Sequence, residues 1–263
     1  MAGLSHGVHS ASMVNLFTLS LTRDTAIRHY AYLLIASVCL ALIPTLWSSL
    51  DLNLARAFFP LPIDGVSTWR WVEALNRYTP AVFRALLLIC AVLWIAVSLN
   101  ARWQHLRLPL AFVVLAGIAG PGLAVNGIVK PLWERARPHQ IVEFGGTQQF
   151  SQAGVFAEEC SKNCSFVSGH AACGFFLSSL FLVFRKRRIA WIAAGFLAGA
   201  VIGFARISSM DHWLSDILWA FPVTLVSSWM VWWALKSFYT DKLQVKAPHS
   251  QGQIPSQVTT HFS

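Results

Sequence analysis

The sequence predicts an all-α fold, a polytopic membrane bundle of six transmembrane helices with both termini cytoplasmic. Three observations carry that prediction. The first is composition: of 263 residues, 56% are hydrophobic and only 12% charged, whereas soluble domains carry about a quarter charged residues to cover their surface. The second is the set of six long apolar stretches, since a helix needs roughly 20 apolar residues to cross the hydrocarbon core. The third is the placement of basic residues in the connections between them. Twelve tryptophans and eighteen phenylalanines agree, because aromatic side chains collect at membrane interfaces.

The apolar stretches are Tyr30–Leu50, Pro80–Leu99, Leu108–Val129, Val167–Phe184, Ile189–Ala205 and Trp213–Phe238. Residues 1–29 form a cytoplasmic N-terminal arm, 30–238 the membrane domain, and 239–263 a flexible cytoplasmic tail. The arm holds one short apolar patch, Val14–Leu21, followed by Arg23 and Arg28; a secretory leader has the opposite order, so an interfacial helix or a disordered arm is expected. The third stretch contains Gly117, Gly120, Pro121 and Gly122, which predicts a kink or a close helix contact. Arg185, Lys186, Arg187 and Arg188 form a tight basic turn between the fourth and fifth stretches. The tail from Tyr239 is polar and loosely ordered. Between the first two stretches, 52–77 is expected to pack an outer helix over the site, with Leu54, Phe58, Phe59, Trp69 and Trp71 on the membrane surface.

With a cytoplasmic N-terminus, the inner segments are 1–29, 100–107, 185–188 and 236–263. They hold eleven basic and two acidic residues, so the whole formal charge of +9 lies inside. A pI near 9.8 therefore requires no nucleic-acid partner; the partner implied is the bilayer itself. The connections 51–79, 130–166 and 206–212 face outward.

Three polar clusters fall in or beside those outer connections, where charge pressed against a membrane end is expensive and usually functional. The first runs from Lys130 to Pro138 and contains Lys130 and Arg137, two cations that suit a phosphate. Alone, it reads more readily as a basic interfacial anchor. The second is Val167-Ser168-Gly169-His170. Ser168 is a good N-cap, the free amides of the first turn form an anion site, and Gly169 lets a ligand approach the backbone. The third contains Arg206, His212 and Asp216. His212 and Asp216 are four residues apart and share a helix face, so the carboxylate can orient the imidazole and leave its other nitrogen free to attack. Together the clusters supply the fixed charge, nucleophile and proton donor that phosphoryl transfer requires.

At these residues the sequence resembles the type 2 phosphatidic acid phosphatase superfamily, whose pattern is K-x6-R-P, then P-S-G-H, then S-R-x5-H-x3-D. Here it reads Lys130…Arg137-Pro138, Val167-Ser168-Gly169-His170 and Ala205-Arg206…His212…Asp216, with valine and alanine in place of the usual proline and serine. The resemblance implies that His212 is the nucleophile, Asp216 its orienting partner and His170 the acid. It implies that Lys130, Arg137, Arg206, Ser168 and Gly169 hold the phosphate, with no cofactor and no metal. A narrower likeness, in Glu143-Phe144-Gly145-Gly146 and Cys160 to His170, is to bacterial lipid A phosphatases acting at the 4′ position. It implies a membrane lipid phosphate as substrate, the bacterial inner membrane as location and a periplasmic active site.

Cys39, Cys90 and Cys173 read as packing residues. Cys160 and Cys164 are candidates for a disulfide in an oxidising compartment, ahead of free thiols and of half a zinc site. Within the resemblance, undecaprenyl pyrophosphate, phosphatidylglycerophosphate and phosphatidic acid are alternative substrates, and transfer to a lipid acceptor is an alternative reaction. A transporter or an inactive lipid-binding relative is the reading from another class, opposed by clustering of charge at one face and by the lack of an inverted repeat.

Overall fold

The structure is a computed structural model and describes residues 27–59 and 69–245. The arm before Ile27 and the tail beyond Val245 lie outside the described residues. Among the described residues every regular element is helical: α1 (Ile27–Leu46), α2 (Ser49–Arg56), α3 (Arg70–Leu99), α4 (Arg107–Gly117), α5 (Lys130–Trp133), α6 (Gly169–Ser179), α7 (Arg188–Ser208) and α8 (Leu214–Val245). A π-helical stretch, Ile118–Val129, joins α4 to α5 and contains Pro121, so the irregularity expected from the glycines and proline there is a widened helix.

Five of these helices are long and apolar enough to cross a membrane: Ile27–Leu46, Arg70–Leu99, Ala101–Gln140, Arg188–Ser208 and Leu214–Phe238. Their outer faces carry exposed Leu46, Leu88, Ile95, Ile189, Leu197 and Trp233, more apolar surface than water tolerates. The chain is an integral membrane protein.

The stretch 167–184 differs from the other five. It forms the shorter apolar helix Gly169–Leu182, about 21 Å long at 1.5 Å per residue, against roughly 30 Å of hydrocarbon. Its side chains are nearly all buried, so α6 is the centre of the bundle and its length is set by the packing around it. Phe175 stacks on Phe221 of α8 at 4.6 Å, and Phe176 meets Phe83 of α3 edge-on. Helix α7 approaches α6 through Gly195 and Gly199, where a Cβ would fall 2.1 Å from the Ser178 amide nitrogen and 2.2 Å from the Phe175 ring. Gly203 continues the same four-residue repeat against Ile217 of α8, the small-residue spacing that lets membrane helices touch at the backbone.

Two boundaries differ from the sequence expectation. Helix α3 begins at Arg70, ten residues before Pro80, which lies inside it; the lost N–H at Pro80 is absorbed by a partner on α6, described below. Helix α8 continues to Val245, into the stretch expected to be loose. Of the expected outer segment 52–77, residues 60–68 lie outside the described residues; its start belongs to the short α2 and Trp71 to α3.

Candidate active site

The loop following α5 and the loop between α7 and α8 are zipped together at one end of the bundle. The amide nitrogen and Nδ1 of His139 both lie against the Met210 carbonyl, at 3.2 and 2.8 Å, and Trp213 donates from its indole to the Ala136 carbonyl at 2.9 Å. The basic turn Arg185–Arg187 lies between α6 and α7 at their other ends, so the site and this basic cluster occupy opposite ends of the bundle.

The cations converge. Lys130 and Arg206 are buried, and Arg137 is only 11% exposed. Lys130 donates to the Asn163 side-chain oxygen at 3.3 Å, and Arg137 donates twice to the Asn163 carbonyl, at 3.1 and 2.9 Å. Asp211 closes the chain: its Oδ1 accepts from Arg137 at 2.9 Å, and its Oδ2 lies 3.0 Å from Arg206 Nη2. Nε of Arg206 is buried and makes no hydrogen bond. Asn163 stands between Cys160 and Cys164, which are joined as a disulfide, so the bridge closes a small loop in which Asn163, next to Cys164, touches two of the three cations.

Both histidines belong to the same end. His212 is 1% exposed and its Nδ1 lies 3.4 Å from Oδ2 of Asp216, an ion-pair distance outside hydrogen-bond geometry, with no other partner for that nitrogen. Burial, then the charges of Arg206, Lys130 and Arg137, hold the His212 imidazole well below its ordinary value, so it is neutral at neutral pH. Asp211 feels burial most strongly, which favours the acid form, yet Arg206 and Arg137 together hold its carboxyl below the usual carboxylate range. His170 sits in the first turn of α6, capped by Ser168, whose oxygen accepts from the Ala171 amide at 3.4 Å. Nε2 of His170 is 3.0 Å from the Asn76 carbonyl on α3. That carbonyl is four residues before Pro80, which has no N–H to offer it; the proline frees the acceptor that fixes the His170 ring. The Asn76 amide donates to Ser209 at 2.7 Å and so ties α3 to the α7–α8 turn.

The largest feature not singled out in the sequence is a fully buried network around Arg135. Its Nη1 donates to Asp216 Oδ1 at 2.7 Å and its Nη2 to Asp51 Oδ2 at 2.9 Å. Its Nε donates to the Ser151 carbonyl at 2.9 Å. The guanidinium lies between the rings of Trp213 and Phe150, at 5.3 and 5.6 Å, where cation–π attraction adds to the pairing. Asp216 also accepts from Ser165 and from the Trp213 amide at 2.9 Å. Asp51, on α2, accepts from the Ser215 amide and hydroxyl at 2.9 and 2.5 Å, so a carboxylate from the outer helix caps the start of α8. Burial pushes the Asp51 carboxyl up, opposed mainly by Arg135. Arg135 lies inside the first motif, but Asp51 is 84 residues away in sequence and no local pattern marks the pair. Asn163 and Asp211 were visible only as neighbours of the motif residues.

Gly169 has a different occupant from the one its sequence context suggests. A Cβ there would fall 2.7 Å from the Asn126 side-chain oxygen, so the glycine packs closely against the π-helical stretch.

A helical membrane bundle with a cluster of three cations and a buried histidine–carboxylate pair at one end defines the class. The PAP2 superfamily matches residues 106–239, just over half of the chain, and the chain belongs to that superfamily. It is 34% identical to the lipid A 4′-phosphatase of Francisella tularensis subsp. novicida over 128 residues, 48% of this chain and 58% of the relative. It is also 34% identical to the lipid A 4′-phosphatase of Rhizobium leguminosarum over 176 residues, 66% of this chain and 67% of the relative. The Rhizobium etli protein of the same name matches at 34%, with 61% of its length covered. The chain thus spans about three-fifths to two-thirds of the relatives it matches. No solved structure matches.

Proposed function

We propose that this protein hydrolyses a phosphomonoester on a membrane lipid, the 4′-phosphate of lipid A being the leading substrate, through a phosphohistidine on His212. The observation that carries the reading is the convergence of Lys130, Arg137 and Arg206 with the buried His212–Asp216 pair at one end of the bundle. The names of the relatives support the substrate.

In this mechanism the three cations and the Gly169 amide, with the Ser168 cap, hold the phosphoryl oxygens as charge develops. Asp216 faces Nδ1 of neutral His212, so Nε2 attacks phosphorus and the bond to the lipid oxygen breaks. His170, whose Nε2–H is held by the Asn76 carbonyl, takes up a second proton on Nδ1 with the incoming phosphate dianion and gives that proton to the leaving oxygen. The same nitrogen then takes a proton from the water that cleaves the phosphohistidine, releasing phosphate and restoring both rings. Fixed cations supply the positive charge, so the reaction is metal-independent.

An apolar groove of about 270 Å³, lined by Tyr78, Val82 and Leu86 of α3, Cys173 and Leu177 of α6 and Ile202 of α7, begins about one turn along α6 from His170 and suits an acyl chain. Placing the basic turn in the cytoplasm puts the site on the periplasmic face of the inner membrane. Gly169–Leu182 is then the sixth crossing, shielded from lipid by its neighbours, and both termini are cytoplasmic.

The test is phosphate release by detergent-purified protein from lipid A, undecaprenyl pyrophosphate and phosphatidylglycerophosphate, with EDTA present and His212→Ala as control. Release from lipid A that vanishes in the variant is expected. Release that survives His212→Ala, or that requires added divalent metal, overturns the mechanism.

A further inference from the structure

Among the described residues Asp211 is the one carboxylate in direct contact with the cations assigned to the phosphate, and neither the family pattern nor the mechanism uses it. Its two oxygens are divided between two guanidiniums, Oδ1 to Arg137 and Oδ2 to Arg206, at 2.9 and 3.0 Å. It is partly buried, 23% exposed, in a setting where charge is weakly screened. Arg137 is otherwise committed to the Asn163 carbonyl, whereas buried Arg206 Nε has no partner and is free to receive a ligand oxygen.

The charge balance follows from these contacts. Lys130, Arg137 and Arg206 contribute three positive charges and Asp211 removes one. Asp216 shares Arg135 with Asp51 in a separate buried network outside this count, and His212 is neutral. The three cations and Asp211 together therefore offer about two net positive charges. A phosphomonoester at neutral pH carries close to two negative charges. A diphosphate ester carries about one more, and would need the charge that Asp211 cancels.

We propose that Asp211 is a charge-selecting residue that tunes the pocket to a phosphomonoester dianion and against a diphosphate. This rests on the proposed assignment of Lys130, Arg137 and Arg206 to the phosphate. The same carboxylate competes with free phosphate for the two arginines and so hastens product release.

The experiment measures equilibrium binding of inorganic phosphate and of pyrophosphate by titration calorimetry at pH 7.5 and fixed ionic strength. It uses the full chain carrying His212→Ala, with Asp211 intact or replaced by Asn, Ser or Glu. Neutralising one charge at about 5 Å is expected to tighten phosphate about tenfold in Asp211→Asn. Pyrophosphate, with roughly three charges where phosphate has two, should gain about thirtyfold. Asp211→Ser repeats the shift without an amide to bind the ligand, and Asp211→Glu stays near the parent. Equal gains for the two anions, or none, overturn the selection. Weaker binding in the neutral variants, or their failure to fold, makes Asp211 a strut that holds the arginines and also overturns it. Because binding is read without turnover, lack of lipid hydrolysis by the protein with His212 intact would defeat the catalytic reading while leaving this result standing.

Discussion

Replacing Arg135 with methionine removes a cation that is completely buried between two carboxylates. Methionine has similar volume and no charge, so packing is largely kept while Asp51 and Asp216 lose their common partner. Breaking a buried ion pair by deleting one partner costs about 3–5 kcal/mol, because the remaining charge is left without compensation. The loss is not doubled here. The Asp51 carboxyl is already raised by burial, with Arg135 as the main opposing influence, so loss of Arg135 pushes it further toward the neutral acid, and Asp216 bears most of the deficit. Loss of the two aromatic contacts adds about 1 kcal/mol. For a chain of 263 residues the total corresponds to a fall in melting temperature of roughly 10 °C. Intrinsic tryptophan fluorescence in detergent reads the transition. The sign with pH is defined: the folded variant binds a proton on Asp51 that the unfolded chain, with an ordinary carboxyl, does not hold. Its deficit should therefore shrink as pH falls from 8 toward 5. A shift below about 2 °C, or a deficit that grows on acidification, would refute the view that Arg135 is the electrostatic keystone of this end of the bundle.

Four further outcomes are expected. Pro80→Ala gives the Asn76 carbonyl back its helical N–H, in competition with His170; turnover of a lipid phosphate should fall several-fold with KM little changed, as steady-state kinetics will show. Cys160→Ser with Cys164→Ser frees the loop that carries Asn163 between Lys130 and Arg137; KM for the lipid phosphate should rise by about 3- to 10-fold while kcat changes less, and reductant should reproduce this in the parent protein. Gly195→Ala forces a methyl group into the Ser178 backbone and should destabilise by about 1–3 kcal/mol, seen as a lower melting temperature. Because burial and three cations depress the His212 imidazole, the acid limb that its protonation imposes on kcat should fall below pH 6.5, the ordinary histidine value; a limb at 6.5 or above contradicts the electrostatics of the pocket.

Much of the site was legible because its parts are held by local rules. The four-residue step from His212 to Asp216, the serine cap before His170 and the paired basic residues of the first motif are all set by helix geometry and chain chemistry, and the structure gathers them at one end. The all-helical architecture followed from apolar length. What escaped was tertiary or counter-intuitive. Pro80 reads as a helix boundary, yet it sits inside α3, because the carbonyl it frees finds a histidine from another helix. Stretch 167–184 is as apolar as its neighbours, but apolarity alone does not separate a helix facing lipid from one buried at the centre. Asp51 and Arg135 meet across 84 residues, and a buried ion pair leaves no periodic trace. Gly169 has a neighbour, the side chain of Asn126, that only packing reveals.

The central claim is covalent: phosphate passes from lipid to His212 before it reaches water. Rapid acid-free quenching of the protein with 4′-³²P-labelled lipid A, followed by alkaline peptide mapping, tests it directly. The account predicts transient label, stable to base and labile to acid, on the peptide that contains His212, and none in His212→Ala. Label on any other residue, or full phosphate release with no labelled protein on the millisecond scale, would contradict it.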